Sequence, residues 1–171
     1  LPGKTGKNKK IKKLLPILAI LVIFLLDRAS KMAVTHFYQE GQGIAVLPPV
    51  FYVTRVNNLG AAFGMLKGNP PALALISLGC VIWLCVLIVR GFFSKSDSDK
   101  KAASLVENVR TYALAFIVAG AAGNLYDRVV YGYVVDFLDF RVWPVFNVAD
   151  TFICVGIFLI ILSFFKTGKA I

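Results

Sequence analysis

Four long apolar segments constrain this chain more than any other feature of its sequence. Each has about the length of the roughly 20 residues that an α-helix needs to cross the hydrocarbon core of a bilayer. Of the 171 residues, 58% are hydrophobic, a fraction too high for a soluble domain of this size. The sequence therefore predicts an all-α membrane protein with four transmembrane helices. The predicted spans are residues 14–34, 72–89, 105–130 and 148–165.

The segment between the first two predicted helices contains glycine and proline throughout and cannot span a membrane. Within it, residues 50–56 are β-branched and aromatic, which predicts a strand in a small extracytoplasmic β-sheet between helices one and two. The chain thus divides into a basic, disordered cytoplasmic tail (1–13) and a single transmembrane domain (14–171). Outer loops are predicted at 35–71 and 131–147. A basic tail before an apolar run also resembles a secretory signal peptide, but no small-residue cleavage site follows it.

The basic residues are grouped, although the formal net charge is +10. Thirteen of the 19 Lys and Arg lie in the tail, in the loop at 90–110 and at the carboxyl terminus. The positive-inside rule then predicts that both termini are cytoplasmic. Nucleic-acid binding is not indicated, because no aromatic residues alternate with the basic ones. These clusters are typical of anchors to anionic membrane lipids.

Acidic residues are concentrated between residues 123 and 150, which hold four of the nine in the chain. A carboxylate near the bilayer centre costs roughly 2.5 to 3.5 kcal/mol on insertion scales, so acids at the edges of apolar segments are candidates for function. The predicted topology brings several distant polar residues to the outer leaflet. They are Asp27, Asn58, Asp127, Asp136 and Asp150.

Several kinds of catalytic site are disfavoured by the residue inventory. The three cysteines lie in apolar runs, where a thiol behaves as a small hydrophobe, and the single histidine, His36, lies in a glycine-rich outer loop. No metal site, no cofactor and no Ser-His-Asp arrangement is therefore predicted. Ser30 and Lys31 are adjacent and point in different directions on a helix, which argues against a Ser-Lys hydrolase.

Paired carboxylates fit the acidic segment better. Two Asp side chains that share a site cannot both ionise easily, so the pair can hold a proton while it activates a water. A structural network of acids and amides accounts for the same composition equally well. Asp27 and Lys31 lie four residues apart and can pair on one helix face, either as support for the site or as an ion pair that only ends the span. The small residues after Asn58 suit close approach of the backbone to a ligand.

Five motifs in order resemble those of bacterial lipoprotein signal peptidase, also called signal peptidase II. Any one of them alone is weak, but together they cover residues 14–165 and accompany four predicted spans. The motifs are Asp-Arg-Ala-Ser-Lys (27–31), Asn-Leu-Gly-Ala-Ala-Phe (58–63), Gly-Asn-Leu-Tyr-Asp-Arg (123–128), Val-Val-Asp-Phe (134–137) and Phe-Asn-Val-Ala-Asp (146–150).

This resemblance implies a membrane aspartyl endopeptidase that removes the signal peptide of diacylglyceryl-modified prolipoproteins and cuts before the lipidated cysteine. By motif matching, Asp136 and Asp150 are the catalytic pair, one acting as base on a water and the other as acid. Asp139 is a third acid that we predict not to be catalytic. The substrate-binding or supporting residues implied by the motifs are Asp27, Lys31, Asn58, Gly60, Asn124, Asp127, Arg128 and Asn147.

The resemblance also implies partners and a location. The partners are lipid-modified prolipoproteins and membrane lipids, and the protein is expected to be monomeric in the bacterial cytoplasmic membrane, with its active site on the extracytoplasmic side. The amides of Asn58, Asn124 and Asn147 are expected to position peptide carbonyls and to stabilise the oxyanion. Asp127 is expected to pair with a basic neighbour. Composition alone also permits a proton-conducting transporter or a non-enzymatic assembly factor, although the acids cluster at one interface and form no path across the bilayer.

Overall fold

The computed structural model describes residues 4–60, 70–93 and 101–167, and it shows a mostly helical protein with one small sheet. The order of elements along the chain is α1, β1, β2, α2, α3, β3, α4. The helices are α1 (Lys4–Phe37), α2 (Pro70–Phe93), α3 (Lys101–Tyr131) and α4 (Val148–Thr167). The strands are β1 (Gly43–Leu47), β2 (Phe51–Asn58) and β3 (Val134–Asp139).

Within the described residues, three helical segments are long and apolar enough to cross a membrane: Pro71–Arg90, Val106–Tyr131 and Val148–Phe165. They agree closely with three of the predicted spans. The first helix is longer than predicted. Its apolar stretch is shorter than those of the other three helices, because charged residues occupy both of its ends. It also begins at Lys4, so the prediction of a disordered tail is wrong from that residue onward; the first three residues lie outside the described part.

Helix α3 is the centre of the fold and contacts each of the other three helices. Its contact surfaces are built from small residues, and Ala115 and Ala119 are fully buried. A Cβ atom on Gly120 would collide with the backbone oxygen of Ala149 in α4. Glycine is therefore required there for the two helices to approach as closely as they do.

The three strands form one antiparallel sheet in the order β1-β2-β3. The predicted strand at 50–56 is confirmed by β2. Two strands of the predicted sheet, β1 and β2, do lie between helices one and two. The third strand was not predicted: β3 lies between α3 and α4 and pairs with β2 from Tyr52↔Asp139 to Asn58↔Val134. Since β3 also contacts α1 and α3, the sheet is attached to the helices through this buried strand.

Candidate active site

The polar residues that the topology was predicted to bring together do meet in the structure. They come from one end of α1, the end of α3, the start of α4 and the paired strands β2 and β3. Most of them are shielded from solvent, although the helices around them are apolar. The buried polar residues of this cluster are Asp27, Lys31, Asn124, Asp127, Asp136 and Asn147.

One part of the cluster consists of two acids and two cations. Lys31 Nζ lies 3.0 Å from Asp27 Oδ2 and 2.9 Å from Asp127 Oδ2. Arg28 Nη1 lies 2.6 Å from Asp127 Oδ1. The predicted pair of Asp27 and Lys31 is therefore confirmed, and each carboxylate has a cation within contact distance. All four side chains are largely or fully buried. Their opposite charges therefore compensate one another at a site that is shielded from solvent.

Both acids of this ion cluster also hold elements of the fold together. Asp27 Oδ1 accepts a hydrogen bond from the backbone N–H of Ala149 at 3.0 Å, which attaches α1 to the first turn of α4. Asp127 Oδ2 accepts one from the backbone N–H of Val135 at 3.2 Å, which attaches α3 to β3. Gly123 makes room for this junction, since a Cβ atom there would lie 2.5 Å from Asp27 Oδ2.

The basic partners of Asp127 come from α1 and not from its sequence neighbour Arg128. Arg128 Nη1 instead donates to Ser77 Oγ of α2 at 3.3 Å, and its charge interacts with Asp150, Asp136 and Asp127. Arg28 was not predicted as a site residue. Its position directly after the apolar run of α1 was a usable signal, because a buried cation requires an acidic partner.

The second part of the cluster holds two acids with amides in place of cations. Asp136 in β3 accepts hydrogen bonds from Asn58 Nδ2 at 2.9 Å and from Asn147 Nδ2 at 2.7 Å. Asp150 in α4 accepts one from Asn124 Nδ2 at 2.8 Å. Neither acid has a Lys or Arg partner within ion-pair distance among the described residues.

Asn147 connects the two amide-held acids. Its Oδ1 accepts from the backbone N–H of Asp150 at 2.9 Å, and Asp150 Oδ2 accepts from the backbone N–H of Asn147 at 3.3 Å. This reciprocal pair has the form of a capping box at the start of α4. The side-chain amide of the same asparagine contacts Asp136. The helix cap thus places Asp150 on the backbone N–H of the same asparagine whose side chain holds Asp136.

Burial and the nearby Asp150 raise the pKa of Asp136 from its ordinary 3.8 to about 7, in that order of importance. The hydrogen bonds from Asn58 and Asn147 act in the opposite direction, because they favour the charged form. At neutral pH this carboxyl is therefore partly protonated. A carboxylic acid in this state can donate a proton and can also accept one.

The amides are directed at the carboxylates, which differs from the expectation that they face a bound peptide. The side-chain nitrogens of Asn58, Asn124 and Asn147 all donate to Asp136 or Asp150. Asn124 Oδ1 accepts from Lys31 Nζ at 2.9 Å, which links the two parts of the cluster. The geometry is therefore one of amides that orient acids.

Gly60 lies beside the site as its motif implied. Its backbone N–H donates to Asn58 Oδ1 at 2.9 Å, which leaves the nitrogen of that amide free to face Asp136. The following residues of the motif, Ala61 to Gly64, lie outside the described residues.

Asp139 is buried at the other end of β3 and has its own partners. Its Oδ2 accepts from Thr54 Oγ1 at 3.0 Å, and its Oδ1 accepts from the backbone N–H of Arg141 at 2.9 Å. The Arg141 guanidinium lies 3.5 Å away and also stacks over Tyr52. These contacts keep Asp139 occupied within the sheet.

Comparison with known proteins gives consistent matches over most of the chain. A sequence model of the family described as signal peptidase (SPase) II matches residues 19–166. The lipoprotein signal peptidase of Pelotomaculum thermopropionicum is 42% identical over 138 residues, which is 81% of this chain and 83% of that protein. That of Nostoc punctiforme is 42% identical over 147 residues, 84% and 85% of the two chains.

A solved structure supports the same assignment. A bacterial membrane enzyme determined by the in meso method at 2.3 Å resolution superposes with a TM-score of 0.75 at 29% identity, covering 91% of this chain and 92% of the other. A second such structure, at 1.9 Å resolution, gives 0.73 at 30% identity over 90% and 94%. The match of the family model over residues 19–166 includes the ion cluster and both amide-held acids. The chain therefore belongs to the signal peptidase II family of membrane aspartyl peptidases.

Proposed function

We propose that this peptidase removes the signal peptide from diacylglyceryl-modified prolipoproteins, cuts before the lipidated cysteine, and uses Asp136 and Asp150 as its catalytic pair. The observation that supports this best is the pair itself: two acids held by one asparagine in a buried site, without a cationic partner at ion-pair distance among the described residues. Family membership supports the substrate class. If these two acids only stabilised the fold, we would expect each to contact a cation, as Asp27 and Asp127 do.

The proton positions follow from the electrostatics of the pair. Asp136, with a pKa of about 7, starts as the protonated acid. Asp150 starts as the carboxylate and takes a proton from a water, whose oxygen attacks the carbonyl carbon of the scissile peptide. Asp136 donates its proton to the carbonyl oxygen, which gives a tetrahedral gem-diol. As the C–N bond breaks, Asp150 passes the proton that it took from water to the leaving amine, and Asp136 takes a proton back from a hydroxyl of the gem-diol. The acid and base roles return to their starting state when both products have left.

The asparagines act on the acids in this mechanism. Asn124 and Asn147 hold Asp150, while Asn58 and Asn147 hold Asp136. Such contacts keep both carboxyl groups oriented at the moment of reaction, which avoids the cost of reorganisation. Lys31 supports the same site from behind, since it contacts Asn124 and both acids of the ion cluster.

The proposed membrane arrangement has four spans, with α1 as the fourth. Many apolar side chains of α1 are exposed, such as Leu14, Ile17 and Leu21, which fits a surface in contact with lipid. The grouping of basic residues places both termini in the cytoplasm and the sheet and acids at the extracytoplasmic surface of the bacterial cytoplasmic membrane. We expect the enzyme to act as a monomer, without a cofactor and without nucleic-acid partners.

A cleavage assay tests the substrate class directly. Purified enzyme in detergent is incubated with a synthetic prolipoprotein peptide whose cysteine carries a diacylglyceryl group, and with the same peptide bearing a free cysteine thiol. We expect cleavage before the cysteine of the lipidated peptide and little turnover of the other. Equal turnover of both peptides, or cleavage at another bond, would contradict the proposal.

Reporter fusions test the orientation separately. A fusion at Ser96 or at the carboxyl terminus is expected to read as cytoplasmic, and one at Gly43 in β1 as extracytoplasmic. A cytoplasmic signal at Gly43 would overturn the proposed placement of the acids.

A further inference from the structure

A cavity of about 190 Å³ lies on the other side of the polar cluster from the catalytic pair. It is enclosed by the end of α1, by β2 and by the segment that joins α3 to β3. Neither Asp136 nor Asp150 lines it. The polar side chains in its wall are Arg28, Lys31, Thr35, Arg55, Tyr131 and Tyr133. Its volume is about six times the ~30 Å³ that a water occupies in the liquid, which is enough for a tetrahedral oxyanion.

The charges around this cavity do not cancel. Arg28 and Lys31 are matched by the two carboxylates behind them, Asp27 and Asp127. Arg55 has no carboxylate within ion-pair distance among the described residues.

Arg55 instead donates to neutral groups only. Its Nη1 contacts the carbonyl oxygens of Tyr38 at 2.9 Å and Thr35 at 3.4 Å, and its Nε contacts Asn57 Oδ1 at 3.3 Å. The nearest acid along these hydrogen bonds is Glu40, which binds the other end of the Asn57 amide. The cavity wall therefore carries one uncompensated positive charge.

The wall is apolar and aromatic where it opens. Met32 is 65% exposed and Tyr131 is 47% exposed, and both line the cavity. Tyr131 stacks on Tyr133 with ring centroids 6.0 Å apart. Tyrosines in such a position are typical of the bilayer interface, where the ring meets hydrocarbon and the hydroxyl meets head groups. A free inorganic anion would make no favourable contact with this apolar rim. A phospholipid would contact the rim with its acyl chains and the basic part of the wall with its phosphate.

We infer that this cavity, formed by Arg28, Thr35, Arg55, Tyr131 and Tyr133, binds the phosphate of a membrane phospholipid whose acyl chains lie along Met32. Arg55 supplies the charge, and the tyrosine and threonine hydroxyls supply hydrogen bonds to phosphate oxygens. Basic pockets beside membrane helices are known to bind lipid head groups in this way. The inference requires only that the protein lies in a membrane and does not depend on the proposed peptidase reaction.

Native mass spectrometry of the full chain tests this site. Protein in detergent is titrated with phosphatidylglycerol, and with a diacylglycerol of the same acyl chains that lacks the phosphate. We expect one phosphatidylglycerol to be retained well beyond the diacylglycerol. In Arg55→Gln its affinity is expected to fall about fivefold, as for the loss of one basic residue near a lipid phosphate. Arg55→Lys should retain most of the affinity.

The matched control is Arg141→Gln, which removes the same charge just after strand β3 at a residue outside the cavity wall, and we expect it to bind like the wild type. Arg55 also joins α1 to β2, so thermal unfolding of each variant is measured, and Tyr133→Phe provides a second change that removes only a hydroxyl. Wild-type retention in both a folded Arg55→Gln and Tyr133→Phe would overturn the site. Equal retention of diacylglycerol would overturn the phosphate contact, and displacement by millimolar inorganic phosphate would overturn the lipid assignment.

Discussion

The ion cluster and the amide-held pair both contain aspartates, but the groups that contact these aspartates differ in charge. Asp27 and Asp127 are fully buried and contact Lys31 and Arg28. Asp136 is buried almost as deeply, but among the described residues its side chain accepts hydrogen bonds from asparagine amides. A neighbouring cation favours the charged form of a carboxylate, whereas burial without a cation favours the protonated form. The difference in partners therefore separates acids that hold the fold from acids that can exchange a proton.

The largest effect is expected from replacing either member of the amide-held pair. Asp136→Asn and Asp150→Asn should each reduce cleavage of the lipidated peptide about 100- to 10,000-fold, the range for losing a positioned acid or base. Both variants should still fold, because asparagine has nearly the same volume and neither acid forms an ion pair at contact distance among the described residues. Turnover is measured in the peptide assay, and folding by thermal unfolding in detergent. A folded Asp136→Asn protein with near wild-type turnover would show that the pair is misassigned.

A smaller effect, and of a different kind, is expected in the ion cluster. Asp127→Asn leaves Lys31 and Arg28 buried with one carboxylate fewer, which should lower the free energy of unfolding by about 3 to 5 kcal/mol. The measurement is the melting temperature in detergent. Protein that remains folded at low temperature should keep part of its turnover, so a stable but inactive Asp127→Asn would contradict the comparison.

The pH dependence of stability should show the setting of Asp136 directly. Folded Asp136 binds its proton up to a pH of about 7, whereas the unfolded chain releases it near 3.8. The folded state therefore holds more protons between these values, and this group costs stability as pH rises through that window. Asp136→Asn removes this loss of stability, although asparagine makes a poorer contact with Asn58. The free energy of unfolding of the variant should therefore exceed that of the wild type by on the order of 2 kcal/mol at pH 8 and by much less at pH 4.

Melting temperatures of the two proteins at both pH values check this sign. A difference that is the same at pH 4 and pH 8 would show that Asp136 is not protonated in the folded protein.

The smallest effect is expected at Asp139, which belongs neither to the ion cluster nor to the amide-held pair. Its cationic partner Arg141 is about half exposed, and an ion pair of that kind contributes about 0 to 1 kcal/mol. An asparagine can keep the contacts to Thr54 and to the backbone N–H of Arg141. Asp139→Asn should therefore change turnover by less than about threefold, as measured in the peptide assay. A folded but inactive variant would place a third acid in the reaction.

Much of the fold was predictable, because the length of an apolar run sets the length of a membrane helix. The three spans at α2, α3 and α4 were predicted within a few residues, and so was strand β2. Strand β3 was missed because it interrupts an apolar pattern with two acids and becomes a strand only by pairing with β2. The extent of α1 was missed because the basic residues from Lys4 onward carry no apolar periodicity.

The candidate site was predictable in its membership and not in its contacts. Local spacing identified Asp27 with Lys31, since residues four apart share a helix face. Asp127 was expected to pair with a basic neighbour, and the asparagine amides were expected to face a bound peptide. The structure shows α1 cations on Asp127 and carboxyl groups on the amides.

The sequence by itself determined which segments are apolar enough to span and which polar residues must lie at their ends. The tertiary structure decided which of those residues touch. Lys31 and Asn124 are 93 positions apart, and Asn58 and Asp136 are 78 apart. No local pattern encodes contacts of that separation, because they depend on how the other three helices and the sheet pack around α3. That packing alone gives two aspartates a cation and leaves the other two with amides, and so divides four similar acids into structural and catalytic candidates.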